Sequence, residues 1–412
     1  MRKGEMKNLT SDSQLQSSQF LLLMVSVFTV FLGYGIALPI LPFLLENRFG
    51  GQVGFSIAWH TGMLTGVFMF TLFIFAPLWG KVSDHLGRRP VILIGLGGCV
   101  VALIAFGLAN SLWLGYLTRA LGGAVVSAVL PVALAYIGDT SSRELRARRF
   151  AWMSASATLG FLIGPVIGGW LSSATLVTNI TFVSSMSFPF LVSAVFGSIV
   201  WIAVYLGLSE SATCLSNSQM TQDNHQLPVI PVTNILLLAL LGMFGLGSFE
   251  VSMALQGKQI LNLDAFQIGM LFMECSMMMV IVQVLLFAWL VRHYSFTIII
   301  VSALLIMAAG LVLLPLTTRF EVVMLATGLV GVGSGVLIPV LAYQTSLDAG
   351  MSQGAALGKQ TAAGSLGQGL GSVLAGVLFG IMSQAPFWFT AGLLLAGAFF
   401  GLSFRRTQVE VD

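Results

Sequence analysis

Long apolar runs alternate with short polar intervals along the whole chain. A helix needs roughly 20 apolar residues to cross the hydrocarbon of a bilayer, and it satisfies its own backbone hydrogen bonds while doing so. A membrane β-barrel would instead show short segments of alternating hydrophobicity. The pattern predicts twelve membrane-spanning helices, near 19–45, 58–79, 90–109, 112–138, 150–173, 186–208, 233–255, 265–290, 297–316, 321–345, 359–382 and 386–404.

One polar interval divides the chain into two halves. The longest polar stretch between apolar runs begins at Ser209 and reads "SESATCLSNSQMTQDNHQLPVIP". We interpret it as a linker between two six-helix bundles. The predicted organisation is an N-terminal tail at 1–18, a bundle at 19–208, a linker at 209–232, a second bundle at 233–404 and a C-terminal tail at 405–412.

The two halves resemble each other in sequence. The stretch "LGFLIGPVIGG", from Leu159, aligns with "LGQGLGSVLAG", from Leu366, and at nearly the same offset "VLPVALAY" (129–136) aligns with "LIPVLAY" (337–343). Chance similarity between glycine-rich helices is the alternative to a duplication. Since both copies begin on the same side of the membrane, the predicted fold is an all-α membrane protein with two parallel-repeat six-helix bundles flanking a central site.

Composition and charge support a membrane protein and predict its orientation. The chain is 57% hydrophobic with a mean hydropathy of +0.96, and only 8% of its residues are charged, against about 25% in soluble domains. Lysine and arginine collect in cytoplasmic loops, which predicts cytoplasmic termini in a protein of the bacterial inner membrane. The predicted outer loops hold Arg48, Lys258 and Arg319, and the inner segments hold Arg2, Lys3, Lys7, Lys81, Arg88, Arg89, Arg143, Arg146, Arg148, Arg149, Arg292, Lys359, Arg405 and Arg406.

A cluster of charged residues at Gly80–Pro90, "GKVSDHLGRRP", requires an explanation beyond orientation. Asp84 and Arg88 are four residues apart, so they can pair if the segment is helical. Gly80 and Gly87 allow close backbone approach or a positive φ. A loop that only sets orientation needs positive charges but neither the aspartate nor the glycines.

This stretch resembles the loop motif between the second and third helices of the major facilitator superfamily. Within that family, the chain is most similar to the drug–proton antiporter branch and its tetracycline-type efflux proteins. The resemblance implies twelve helices and alternating access. Further stretches that carry it are "GIALPILP" (35–42), "LTRALGGAVV" (117–126), "AYIGDTSSRELRARRF" (135–150) and "GFLIGPVIGGW" (160–170).

The resemblance also assigns roles to two sets of residues. It implies a conformational latch, in which Asp84 caps the eleventh helix in the outward-facing state. The fifth-helix motif is associated with antiporters, and its glycines four apart form a ridge that permits close helix approach in lipid. We expect that ridge, and its counterpart at Gly367, Gly371 and Gly376, to line the seam between the bundles. The latch comprises Gly80, Asp84, Gly87, Arg88, Arg89 and Asp139, and the antiporter motif comprises Gly160, Gly164, Pro165, Gly168 and Gly169.

The sequence departs from tetracycline exporters at two positions. Val30 stands where those exporters carry an aspartate in the first helix, and Gly122 stands where many relatives have glutamine. Tetracycline itself is therefore a poor candidate substrate.

Three ionisable residues fall at membrane depth, where such groups are costly and suggest function. Glu274 lies roughly 14 Å into its span and Glu250 roughly 26 Å into its own. Glu274, and next Glu250, are candidates for a proton carrier, although Glu250 can also lie in a water-filled vestibule. Arg119 is a candidate partner for Glu274, for an anionic substrate group, or for a structural contact. Tyr34 is a candidate pocket residue, and five methionines at 270–279 suggest a permissive pocket around Glu274.

Together these features predict a secondary transporter. The leading hypothesis is export of an amphipathic organic molecule, a drug or a metabolite such as a siderophore, in exchange for protons. Proton-coupled uptake is the alternative, and a transporter-like receptor that moves nothing is a further one. The dispersed Cys and His residues and the lack of a phosphate loop or nucleophile–base set predict no enzyme activity, no cofactor, no metal and no nucleic-acid partner. We expect a monomer surrounded by membrane lipid.

Overall fold

A computed structural model of the chain describes residues 17–49, 56–141, 143–173, 186–210, 232–348 and 353–409. These residues form twelve helices long and apolar enough to cross a membrane, so the predicted all-α, multi-pass architecture is confirmed. Most of the predicted N-terminal tail and of the predicted linker lies outside the described residues.

The helices, α1 to α12, follow the predicted runs closely. Two are interrupted: α4 has two segments, and α8 passes through a π-helical turn at Val282–Leu286 before a final segment, Phe287–His293. The bounds are α1 Ser17–Phe49, α2 Ile57–Leu86, α3 Arg88–Leu108, α4 Leu112–Val126 and Val129–Thr140, α5 Arg143–Ser173, α6 Phe188–Gly207, α7 Val232–Gln259, α8 Ala265–Ile281 followed by the two segments just given, α9 Phe296–Leu313 with a 3-10 turn at Leu314–Leu316, α10 Phe320–Asp348, α11 Gln353–Ile381 and α12 Ala385–Val409.

Proline and glycine account for local features of α2 to α4. Pro131 has no N–H to donate to the carbonyl four residues earlier, and α4 is broken there, at Ser127 and Ala128. The charged stretch that we interpreted as a loop is instead largely helical, since α2 continues to Leu86. Gly87 alone separates α2 from α3, with a φ of 94° that favours glycine.

The glycine ridge of α5 packs inside the N-terminal half. A Cβ at Gly160 would lie 2.5 Å from the carbonyl oxygen of Phe28 in α1, and one at Gly164 would lie 2.8 Å from that of Leu32. Gly367 of α11 packs in the same way on α7. The expectation that these ridges line the seam between the halves holds for Gly376, which meets Gly62 of α2, but not for the other ridge glycines, whose shared face meets the neighbouring helix within each half.

The seam between the halves uses other positions on the same helices. Gly169 of α5 packs against Ala265 at the start of α8, and Gly62 of α2 packs against Gly376 of α11, whose Cα lies 2.9 Å from where a Cβ at Gly62 would be. These contacts lie near the end of the bundle at which α1 and α7 finish. We call it the Lys258 end, after the lysine of α7 that forms an ion pair with Glu46 of α1.

At the opposite end the same helices are less closely packed. We call it the Arg88 end, because α2 finishes and α3 begins there. A Cβ at Gly80 of α2 or at Gly358 of α11 would have no described neighbouring atom within 4 Å, and the Asp84 side chain is 60% exposed. The structure is thus a state in which the halves pack tightly at the Lys258 end.

We predict that the α1–α5 contact tolerates no added methyl group. In Gly168→Ala the new Cβ would lie 2.8 Å from the Ile36 carbonyl oxygen, and such overpacking typically costs about 1–3 kcal/mol. The thermal unfolding midpoint in detergent should fall. Gly392→Ala in α12 is the matched control, since no described neighbouring atom lies within 4 Å of its Cβ position. Equal midpoints for the two variants would contradict this packing.

Candidate functional site

A buried polar cluster joins the two halves at the centre of the molecule. Tyr34 of α1 donates its hydroxyl proton to Oε2 of Glu250 in α7 at 2.6 Å. The amide nitrogen of Gln368 in α11 lies 3.0 Å from each Glu250 carboxyl oxygen and 3.2 Å from the Tyr34 hydroxyl. The Glu250 carboxyl therefore receives hydrogen bonds from both halves. We call these three residues the Glu250 cluster.

Apolar side chains exclude water from the Glu250 cluster. Glu250 is 1% exposed, Tyr34 6% and Gln368 7%. The Tyr34 ring stacks between Phe68 and Phe161, with centroids 5.6 Å and 5.9 Å away. Among the described residues no Lys or Arg forms an ion pair with Glu250. A buried carboxylate without a counter-charge is costly, and neutral donors compensate only part of that cost, so the cluster is a candidate site for a proton or a cation.

Arg119 lies beside Phe68, which stacks on Tyr34. Its guanidinium carbon is 4.6 Å from the Phe68 ring centroid and 5.4 Å from that of Phe106. Nε donates to the Leu64 carbonyl at 3.4 Å, while Nη2 has no hydrogen-bond partner in the described part of the chain. The side chain lines a cavity of about 30 Å³ together with Tyr34, which is room for a water molecule.

Glu274 is not part of this site. Its carboxyl accepts a hydrogen bond from Thr327 of α10 at 3.0 Å, and within the described ranges it pairs with neither Arg119 nor the Glu250 cluster. The suggested Arg119–Glu274 pair therefore does not form between these two described residues in this state. Of the three ionisable residues predicted from the sequence, Glu250 is hydrogen-bonded to the other half, Arg119 shares a small cavity with Tyr34, and Glu274 bonds to Thr327 within its own half.

The residues of the predicted latch form a network on the N-terminal half. Arg88 bonds to Asp84 at 2.6 Å and to Asp139 at 2.9 Å, so the predicted four-residue spacing does produce a pair. Arg89 points elsewhere: it donates to the Tyr205 carbonyl at 2.6 Å and lies over the Tyr205 ring. In this state Asp84 does not cap the described part of α11.

Sequence reasoning missed Gln368, Glu210 and Lys258. Gln368 is the one polar residue in the glycine-rich stretch "LGQGLG". A polar side chain in such a stretch is the sequence feature that could have identified it. Glu210 accepts hydrogen bonds from the backbone N–H groups of Arg88 (2.7 Å) and Arg89 (3.3 Å), where the helix dipole favours an anion. Lys258 pairs with Glu46 and donates to the Pro42 carbonyl at 2.9 Å. Nothing in the sequence indicated these last two pairings.

We predict that Tyr34 and Glu250 are energetically coupled. In a double-mutant cycle of Tyr34→Phe and Glu250→Gln, measured by unfolding in mixed micelles, hydrogen-bonded partners should give an interaction energy of about 0.5–3 kcal/mol.

The control cycle pairs Tyr116→Phe with Glu250→Gln. Tyr116 bonds to His60 at 2.7 Å and not to Glu250, so its effect should add to that of Glu250→Gln within about 0.5 kcal/mol. Additivity in the Tyr34 cycle would contradict the bond.

Sequence comparisons place the chain among transporters. The family model described as "Major Facilitator Superfamily" matches residues 23–353. The Quinolone resistance protein NorA of Staphylococcus aureus is 27% identical over 388 residues, which covers 92% of this chain and 95% of that protein. Multidrug resistance protein 1 of Bacillus subtilis (strain 168) is 28% identical over 381 residues, with 91% and 93% covered.

Solved structures share the fold at low sequence identity. A bacterial homologue of the human lysosomal transporter Spinster matches with a TM-score of 0.73 and 14% identity, and covers 94% of this chain and 96% of that one. The human organic anion transporter MFSD10 (TETRAN) matches with a TM-score of 0.69 and 19% identity, with 93% and 99% covered.

Proposed function

The chain belongs to the Major Facilitator Superfamily, and we propose that it is a proton-coupled antiporter that exports amphipathic organic molecules. The observation that carries the proposal is the Glu250 cluster: a carboxyl group without a counter-ion among the described residues, whose donors come from both halves. The names of NorA and Multidrug resistance protein 1 support efflux of drug-like molecules. A metabolite such as a siderophore belongs in the same substrate class.

The Glu250 cluster provides the coupling that an antiporter requires. While Glu250 is charged and binds neither a proton nor a substrate cation, Tyr34 and Gln368 hold α1, α7 and α11 together and the Lys258 end stays closed. A proton or a substrate cation neutralises the carboxylate and weakens this bridge. The halves then reorient only when one of the two is bound, so each outward movement of substrate is matched by an inward movement of protons. We assign the coupling role to Glu250 rather than to Glu274, because only Glu250 bridges the halves.

The lysine and arginine bias supports an orientation for this cycle. We place the Arg88 end in the cytoplasm and the Lys258 end outside, with both termini cytoplasmic, in the bacterial inner membrane. The described state then faces inward. When the cytoplasmic end closes, Asp84 reaches the start of α11 and the latch engages. We propose that one chain, surrounded by lipid, completes this cycle.

We predict that Glu250→Gln abolishes exchange. In everted vesicles with an imposed pH gradient, adding a substrate should collapse the gradient in the wild type, because protons leave as substrate enters. Glu250→Gln keeps the shape of the site but cannot release a proton. Glu274→Gln is the matched control and should retain the response. The panel should include quinolones, lipophilic cations and siderophore-like chelators.

The opposite pattern, loss in Glu274→Gln and retention in Glu250→Gln, would contradict our assignment. A gradient that grows when substrate is added outside would indicate symport, because protons then enter with the substrate, and a silent panel would favour a receptor.

We also predict that Asp84→Asn slows turnover without weakening substrate binding. Among the described residues Asp84 pairs with Arg88 of its own half in the inward-facing state, so losing its charge removes no described contact between the halves there and weakens the proposed latch of the other state. Hydrogen bonds to charged groups contribute about 1.5–3 kcal/mol, which corresponds to roughly a 10- to 100-fold shift in population. Transport rate and equilibrium binding should be measured on the same preparation. An equal loss in both would contradict a latch.

A further inference from the structure

Arg119 is a buried cation without a partner carboxylate in the described part of the chain. It lies roughly 10 Å from the start of α4 and is 6% exposed. The described ion pairs do not include it, and the Glu250 carboxyl already receives hydrogen bonds from Tyr34 and Gln368. A guanidinium stays protonated at neutral pH. Arg119 therefore cannot lose its charge by releasing a proton, as a carboxyl group loses its charge by binding one.

The chain compensates only part of this charge. The rings of Phe68 and Phe106 lie near the guanidinium carbon and contribute cation–π attraction. The described hydrogen bond from Nε to the Leu64 carbonyl is long, at 3.4 Å. Nη2 is buried and has no partner among the described residues. Because a buried charge is stable when it is paired and hydrogen-bonded, the unused donor is suited to an anion.

The cavity that Arg119 lines has the size for a small anion. We call it the Arg119 cavity, and its volume is about 30 Å³. Glycine leaves this space free at Gly33 and Gly122, which both line it; a Cβ at Gly122 would lie 3.2 Å from the Ala102 Cβ. A chloride ion is little larger than a water molecule and fits such a space. Sulfate and organic anions are too large for it.

The Arg119 cavity has no acidic side chain of its own among its described lining residues. Val30 and Gly122, the two positions at which the sequence departs from tetracycline exporters, both line it. Neither side chain can supply a negative charge or a hydrogen bond. The counter-charge for Arg119 is therefore expected to come from solution rather than from the walls of the cavity.

We propose that the Arg119 cavity binds a small inorganic anion, chloride or an ion of similar size, with the Arg119 guanidinium as its counter-ion. A bond from Nη2 to the ion would be charge-assisted, which is the stronger class of hydrogen bond. The lining residues all belong to the N-terminal half, so the proposal does not depend on the proposed transport function.

Equilibrium binding of radioactive chloride to the full chain in lipid nanodiscs tests this site. The wild type should show saturable binding that bromide displaces and that gluconate, a larger organic anion, does not. Arg119→Gln should weaken binding about 10- to 100-fold, because it removes a hydrogen bond to a charged group. Arg48→Gln is the matched control and should bind as the wild type does. Arg48 lies in the same half and donates to the Gly107 carbonyl, outside the Arg119 cavity.

A pair of variants at Val30 separates charge from shape. Val30→Asp places a carboxylate in the Arg119 cavity, and a neighbouring cation favours its ionised form. It should replace the bound ion and abolish saturable chloride binding. Val30→Asn has nearly the same size without the charge, so it should retain chloride binding. Equal binding by these two variants would overturn the proposal.

Measurements on the wild type guard against variants that do not fold. Replacing gluconate with chloride at constant ionic strength should raise the thermal unfolding midpoint of the wild type, because a ligand of the folded state stabilises it. The midpoint of Arg119→Gln should not respond. A wild type without saturable chloride binding, or binding that Arg119→Gln leaves unchanged, would overturn the proposal. Displacement of chloride by benzoate but not by bromide would identify the carboxylate of a larger molecule as the occupant, and would overturn it as well.

Discussion

A buried carboxyl group without a counter-ion among the described residues is the constraint on which this structure depends. Glu250 is shielded from water and is held by a phenol from one half and an amide from the other. Hydrogen bonds from neutral donors stabilise a carboxylate only while every donor stays in place. In the proposed cycle the relative position of α1, α7 and α11 is therefore linked to the charge on one side chain, which a proton removes and an organic cation offsets.

Close packing at glycine keeps each half rigid, so that the charge on Glu250 can act on the position of one half relative to the other. In lipid the helices gain no hydrophobic free energy from association, so close packing of small residues has to hold them together. The ridges of α5 and α11 hold each half together against α1 and α7, whereas Gly62, Gly169 and Gly376 lie on the surface between the halves. Because the two functions use different faces of the same helices, the surface between the halves can open without loosening either bundle.

The periodicity of the sequence predicted what depends on spacing along the chain. The twelve spans and the Asp84–Arg88 pair follow from apolar run lengths and from a four-residue interval. The sequence could not rank Glu250 against Glu274. The depth of a residue in the membrane follows from its position along a helix, but the residues that it contacts on neighbouring helices do not. Glu274 is nearer the middle of its span, yet its carboxyl bonds to Thr327 of the same half, whereas Glu250 bonds to Tyr34 of the other half. Gln368 and the Lys258–Glu46 pair join residues more than a hundred positions apart, and no local pattern reports such contacts.

The most direct test is a distance measurement across the Lys258 end at two pH values. Spin labels at Trp113→Cys and Ile260→Cys, both exposed positions on opposite halves, would be placed in a background free of the native cysteines. Pulsed electron paramagnetic resonance in nanodiscs should show a short distance at mildly alkaline pH and a longer population at mildly acidic pH, because protonation of Glu250 releases the bridge. Glu250→Gln should show the longer population at both. A pH response that persists unchanged in Glu250→Gln, or a wild type that does not respond to pH, would contradict the account.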